Sequence, residues 1–262
     1  MTTRDTVRAR LDRVSDPELD ESIVELGYVD HIEISDEYGV VTLAFTLPTA
    51  WCSPAFAWMM SVDARDEIES IAGVNRAVIR LREHMHQDEI NEGVNARQSF
   101  DASFPDADGE VASVRATLDD KARLSRQYEA VESLLEADIT PAQICGLTPA
   151  DIDIHTGDDR RSEDAFAAVY LESESFAVTV PARPLDRYLR KARTVEYITS
   201  ENDTLFRTPE GEPVSVENFE LVHRRGRLAQ TNMTGQGGVC DALNESRRDK
   251  LNRDTPVAAD AD

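Results

Sequence analysis

Residues 28–47 read Tyr-Val-Asp-His-Ile-Glu-Ile-Ser-Asp-Glu-Tyr-Gly-Val-Val-Thr-Leu-Ala-Phe-Thr-Leu, two apolar runs on either side of Asp36-Glu-Tyr-Gly39. Strand-forming residues interrupted by a short glycine-containing break predict a β-hairpin. Downstream, Ser53-Pro54 joins a capping-type serine to a proline at the first helical position. Phe56, Met59, Met60, Val62, Ile68 and Ile71 continue at helical spacing as far as Gly73. Val74 to Leu81 predicts a third strand. Upstream, Val7, Leu11 and Val14 mark a first helix, which stops at Asp16-Pro17 because proline disfavours helix in the residue before it. The order helix, two strands, helix, strand specifies a two-layer α/β sandwich.

Beyond this unit, Gln98 to Glu110 is rich in Ser, Asp, Pro and Gly and is read as a boundary. The expected organisation is a first domain over 1–97, an α/β extension over 110–252 and a disordered tail over 253–262. The fold class is α+β, with a mainly helical C-terminal region. There a long helix over Val111 to Ala137 is followed by a short one near Pro141 to Cys145. Two strand-like runs follow within Phe166 to Val180, then a helix over Leu185 to Ala192, a turn at Glu210-Gly211 and a final helix over Val239 to Leu251.

The 262 residues hold 51 Asp plus Glu against 28 Lys plus Arg, a formal net charge of −23, with lysine only at Lys121, Lys191 and Lys250. Such a surface repels a phosphate backbone, so nucleic acid is not expected as a partner. The acids are spread along the chain, as in Asp16 to Glu25 and Asp151 to Asp164, a pattern that suits adaptation to high salt better than a dedicated acidic tail. Three cysteines, at 52, 145 and 240, make no disulfide framework and point to a reducing compartment. There is no signal-type apolar segment at the N-terminus and no window of membrane-spanning length, so a cytoplasmic, membrane-free protein is expected.

Cys52 follows a predicted strand and immediately precedes a predicted helix. Amide N–H groups and the helix dipole there favour an anion, which predicts a lowered thiol pKa and a thiolate available as nucleophile or metal ligand. The plain alternative is a small buried hydrophobe. Asp16-Pro17-Glu18-Leu19-Asp20-Glu21 could lend a carboxylate to a neighbouring site or simply be solvated. His84-Met85-His86 places two imidazoles near Asp88 and Glu89, donors suited to iron or zinc; the two would share a face on an extended segment and diverge by about 200° on a helix. Cys240 follows Thr234-Gly-Gln-Gly-Gly238, read as a glycine-rich loop opening a helix, with Arg224, Arg225 and Arg227 before it. Cys145 looks like core. No Ser-His-Asp order, paired-carboxylate motif or dinucleotide loop is present, and the chain is read as a non-enzyme.

Four segments taken together resemble a known family. They are Asp16-Pro17-Glu18-Leu19, Leu26-Gly27-Tyr28-Val29, Thr46 with Pro48 and Thr49-x-x-Cys52, and Gly73-Val74 before a valine-containing strand. Over about residues 5–83 they resemble the PaaD-like and SufT-like metal–sulfur cluster assembly proteins. The resemblance implies a domain that assembles iron–sulfur clusters or delivers them to target proteins, with Cys52 and Asp16 as functional positions and Thr49 beside the cysteine. The family usually places proline directly after the cysteine; here Ser53 intervenes. The longer form is also similar to relatives associated with diiron monooxygenases.

The expectation is therefore a maturation factor. Cys52 would bind iron or a transient iron–sulfur cluster, Asp16 and Thr49 would shape its pocket, and Cys240, His84 and His86 are further candidate ligands. Its partners would be a client metalloprotein or other cluster assembly proteins, and a homodimer would bring two Cys52 thiols together. The alternative is a metal-free adaptor, such as an accessory protein of a diiron monooxygenase, presenting Trp51, Phe56 and Trp58 as an apolar contact surface.

Overall fold

The computed structural model describes residues 2–35, 37–107, 111–155, 164–171 and 176–254; beyond residue 235, side chains are described only at 242, 243 and 246. The chain divides into two compact units, Met1–Arg115 with Thr234–Asp262, and Ala116–Met233.

The first unit begins with helix α1 (Arg4–Leu11), capped by the Thr3 hydroxyl, which accepts the Thr6 N–H. Strands β1 (Val29–Ser35) and β2 (Val40–Thr46) form the antiparallel hairpin that the apolar runs predict. The turn requires Gly39: its φ is +62°, and a Cβ there would lie 2.9 Å from the Gly73 carbonyl oxygen. Helix α2 (Pro54–Glu69) crosses over to strand β3 (Arg76–Arg82), which pairs parallel to β2 in the order β1-β2-β3. Val41, Leu43 and Phe45 of β2, with Ala77, Ile79 and Leu81 of β3, share the inner face and pack with Ala57, Trp58, Met60, Ala64 and Ile68 of α2. This is the two-layer sandwich expected from the order of elements.

Ser53 stands at the N-cap of α2 but makes no side-chain cap bond; Pro54 alone fulfils the predicted start signal.

Helix α3 (Gln87–Asn95) has no counterpart in the sequence reading and guards the edge of the sheet. The Asn91 side chain accepts the Leu81 N–H and donates to the Leu81 carbonyl, at 2.8 and 2.9 Å. Asn95, one turn on, repeats this with Ile79 at 2.8 Å for both bonds. Glu69 accepts the Ala77 N–H at 3.1 Å. Side chains thus satisfy backbone groups that an open edge would offer to another strand.

The stretch read as a boundary instead carries helix α4 (Phe100–Ser103) and packs onto this core. Phe100 and Phe104 meet Trp58 edge-on, with ring centroids 5.7 and 6.2 Å away. The compact unit that includes these residues extends to Arg115, where the sequence reading placed its first domain over 1–97.

Helix α5 (Val111–Glu136) leads to the second unit, with α6 (Pro141–Gly146), an antiparallel sheet and α7 (Ala182–Thr194). The sheet contains β4 (Ile152–His155), which the sequence reading missed, β5 (Phe166–Leu171) and β6 (Phe176–Pro181). Its core gathers Leu134, Val169, Leu185, Tyr188 and Phe206. Arg123 is fully buried there, lying 3.9 Å from the Tyr197 ring centre and donating to Gln127 and the Thr208 carbonyl.

Helix α8 (Phe219–Asp254) corrects the reading of Thr234 to Gly238 as a loop: these residues lie inside one continuous helix. The Cys240 side chain and the tail from 255 onward lie outside the described residues.

Candidate functional site

Parallel pairing of β2 with β3 makes the segments that follow them leave the sheet at the same end. One is Leu47 to Ser53, carrying Cys52; the other is Glu83 to His86. Two bonds join them. The Met85 N–H donates to the Ala50 carbonyl at 3.0 Å, and His84 Nε2 lies 2.9 Å from the Cys52 carbonyl oxygen. The His86 N–H donates to His84 Nδ1 at 3.1 Å. An amide can only donate, so Nδ1 accepts and Nε2 carries the proton. Burial lowers the His84 pKa and favours this neutral form, outweighing the pull of the Cys52 carbonyl bond.

Both ring nitrogens of His84 are thereby committed to backbone groups. Proposed from sequence as a ligand, it serves here as a clamp on the cysteine loop. His86, at the N-cap of α3, packs its ring edge-on against Phe104 and places Nδ1 3.7 Å from Glu89. The loop is also tied internally: Thr49 Oγ1 accepts the Trp51 N–H at 3.3 Å, and the Thr49 carbonyl accepts the Cys52 N–H at 3.4 Å. Thr49 shapes the turn that presents the thiol.

Asp16 enters from the segment after α1. Its Oδ1 accepts the Glu18 and Leu19 N–H groups at 2.9 and 3.2 Å, an arrangement local to the Asp-Pro-Glu-Leu sequence. Its Oδ2 accepts the Tyr28 hydroxyl at 3.3 Å. Although these bonds favour the carboxylate, burial dominates and raises the Asp16 pKa. Tyr28, which the sequence reading quoted within Leu26-Gly27-Tyr28-Val29 without assigning it a role, thus touches a candidate site residue.

Cys52 is half-buried, and its pKa corrects the sequence expectation: burial raises it, with further upward contributions from the charges of Asp16 and Glu18. A backbone hydrogen bond from Thr49 acts in the opposite sense and is outweighed. The helix-terminus argument considered only the local dipole. Desolvation and two neighbouring acids come from the tertiary fold, and they win.

Thr49 and Cys52 therefore share one loop that His84 holds by its backbone, and the charge of Asp16 reaches the thiol. Among the described residues no three His, Cys, Asp or Glu side chains are grouped to hold a metal ion. No helix among them is long and apolar enough to cross a membrane.

Residues 4–79 match the family model described as iron-sulfur cluster assembly protein, a match confined to less than half the chain. The match lies within the first unit and is to the kind of family that its four motifs resemble, while the second unit lies outside it. An uncharacterized protein of Methanocaldococcus jannaschii is 28% identical over 98 residues, which are 37% of this chain and 100% of that protein. No solved structure matches.

Proposed function

We propose that this protein is a maturation factor without catalytic turnover of its own, in which Cys52 binds iron or a transient iron–sulfur cluster and passes it to a client metalloprotein. The observation that carries the reading is one half-exposed thiol, on a loop pinned at Ala50 and Cys52, with Asp16 beside it. Among the described residues one thiol with a neighbouring carboxylate cannot complete the ligation of a cluster, so the remaining ligands come from outside this set, with a second copy or the client as their source. Incomplete ligation suits cargo that must leave. A raised thiol pKa serves the same end, since thiolate formation is then coupled to arrival of the metal cation.

The test is anaerobic reconstitution of the full chain with iron and sulfide, comparing wild type with Cys52→Ser by iron content and visible absorption. Bound iron and a charge-transfer band, both lost in the variant, are expected. No iron on folded wild-type protein overturns the carrier mechanism.

A second reading is a metal-free adaptor, favoured by Trp51, which exposes 74% of its surface beside the thiol. The apolar surface suggested by sequence is smaller than expected, because Trp58 is buried in the core and Phe56 is partly buried. An adaptor keeps its client function in Cys52→Ser; a carrier loses it.

A further inference from the structure

Trp51 is the most exposed large apolar side chain among the described residues, and Met85 exposes 53% of its surface. The hydrogen bond from Met85 N–H to the Ala50 carbonyl sets the two positions alongside each other, at the end of the sheet where the thiol lies. Loop slack does not explain the exposed indole. The carbonyls on both sides of Trp51 are anchored, Ala50 by Met85 and Cys52 by His84, and its own N–H is held by Thr49. The fold anchors the backbone on either side of an exposed indole, next to the residue proposed to carry cargo.

The surroundings are acidic. The charges of Asp16 and Glu18 reach Cys52, Glu83 is exposed on the segment entering the patch, and Asp88 and Glu89 occupy the first turn of α3. Arg82, the cation nearest in sequence, is turned toward Asp30 at 4.0 Å. An apolar centre with acids around it, on a chain of net charge −23, is complementary to an apolar helix face bordered by Lys and Arg.

We infer that Trp51 and Met85 form the docking surface for a basic partner protein, whose apolar, lysine- and arginine-bordered helix face packs on the indole and thereby brings the client to Cys52. The inference rests on the delivery reading for its purpose, but docking is measured without iron, so failure of one is distinguishable from failure of the other.

The experiment uses the full chain in chelator-containing buffer and two synthetic amphipathic helices of equal length and leucine content, one with a lysine polar face and one with a glutamate face. The readout is tryptophan emission, in which a blue shift reports on Trp51 because Trp58 is already buried. The lysine peptide is expected to shift the emission and to bind about tenfold or more tighter than the glutamate peptide, with affinity falling as salt is added. Binding measured by calorimetry should weaken about tenfold in Trp51→Ser and by a smaller factor in Met85→Ser. It should be unchanged in Tyr38→Ser, which alters an exposed aromatic on the hairpin turn. Equal binding by wild type and Trp51→Ser overturns the proposal, since the peptide is then collected by general acidity. A blue shift that grows with protein concentration alone, with dimers in sedimentation, also overturns it in favour of a second copy as occupant.

Discussion

His84 Nε2 and the Cys52 carbonyl oxygen lie 2.9 Å apart, bridging two segments 32 residues apart in sequence. With the Met85 bond to Ala50, this contact makes the cysteine loop part of the sheet end rather than a free connection. Replacing His84 by Ala strands a partly buried carbonyl and should lower stability by about 1–2 kcal/mol. It should also raise the alkylation rate of Cys52 as the loop loosens. His84→Gln, which keeps a donor, should recover part of both effects. Denaturant titration and iodoacetamide kinetics check this.

The raised Cys52 pKa makes a second prediction. The pH profile of Cys52 alkylation should have its midpoint above the ordinary cysteine range, because burial and the charges of Asp16 and Glu18 oppose the thiolate. Asp16→Asn and Glu18→Gln should each move the midpoint downward. A midpoint below the ordinary range would show that the helix terminus governs the thiol after all. The chain also holds Cys145 and Cys240, so the profile is taken as the difference from Cys52→Ser.

Asp16 should cost the protein stability at neutral pH. Its folded-state pKa is raised by burial, so its favourable contribution is complete below the unfolded-state pKa and is lost as pH rises through the higher folded-state value. Above that window the buried carboxylate burdens the fold. Asp16→Asn is therefore expected to raise Tm at pH 7 by about 2–4 °C, the response to about 1 kcal/mol in a chain of this size. The gain should shrink as pH falls toward the ordinary carboxylate range. Thermal scans at pH 7 and pH 4.5 read the difference.

Asn91 and Asn95 offer a test of edge protection. Each makes two side-chain bonds to the β3 backbone, and Asn→Ala at either position should cost about 2 kcal/mol. The double variant leaves β3 open to pairing and should aggregate in a concentration-dependent way, visible in light scattering.

Most of the first unit was legible in the sequence because its signals are local. Hydrophobic period and turn chemistry act over a few residues, and they placed α1, the hairpin, α2 and β3 in order. The second unit was legible for α5, α6 and α7 for the same reason. Helix α8 was misread because Thr234 to Gly238 looks like a break by propensity, and propensity is a weak term that context overrides. The edge-covering asparagines were hidden because their bonds go to the backbone of another element. Nothing in Asn91-x-x-x-Asn95 separates that role from a solvated helix face.

The sequence by itself determined which elements form, that Cys52 stands where a strand gives way to a helix, and that Asp16 lies in a tight Asp-Pro turn. Only the tertiary structure decided what those residues meet. Parallel pairing of β2 with β3 carried His84 to the cysteine loop, and packing buried Trp58 while leaving Trp51 outside. The sign of the Cys52 pKa shift also belongs to the tertiary level. A helix terminus is set by local chain geometry, whereas desolvation and the approach of Asp16 and Glu18 depend on which distant segments close around the thiol.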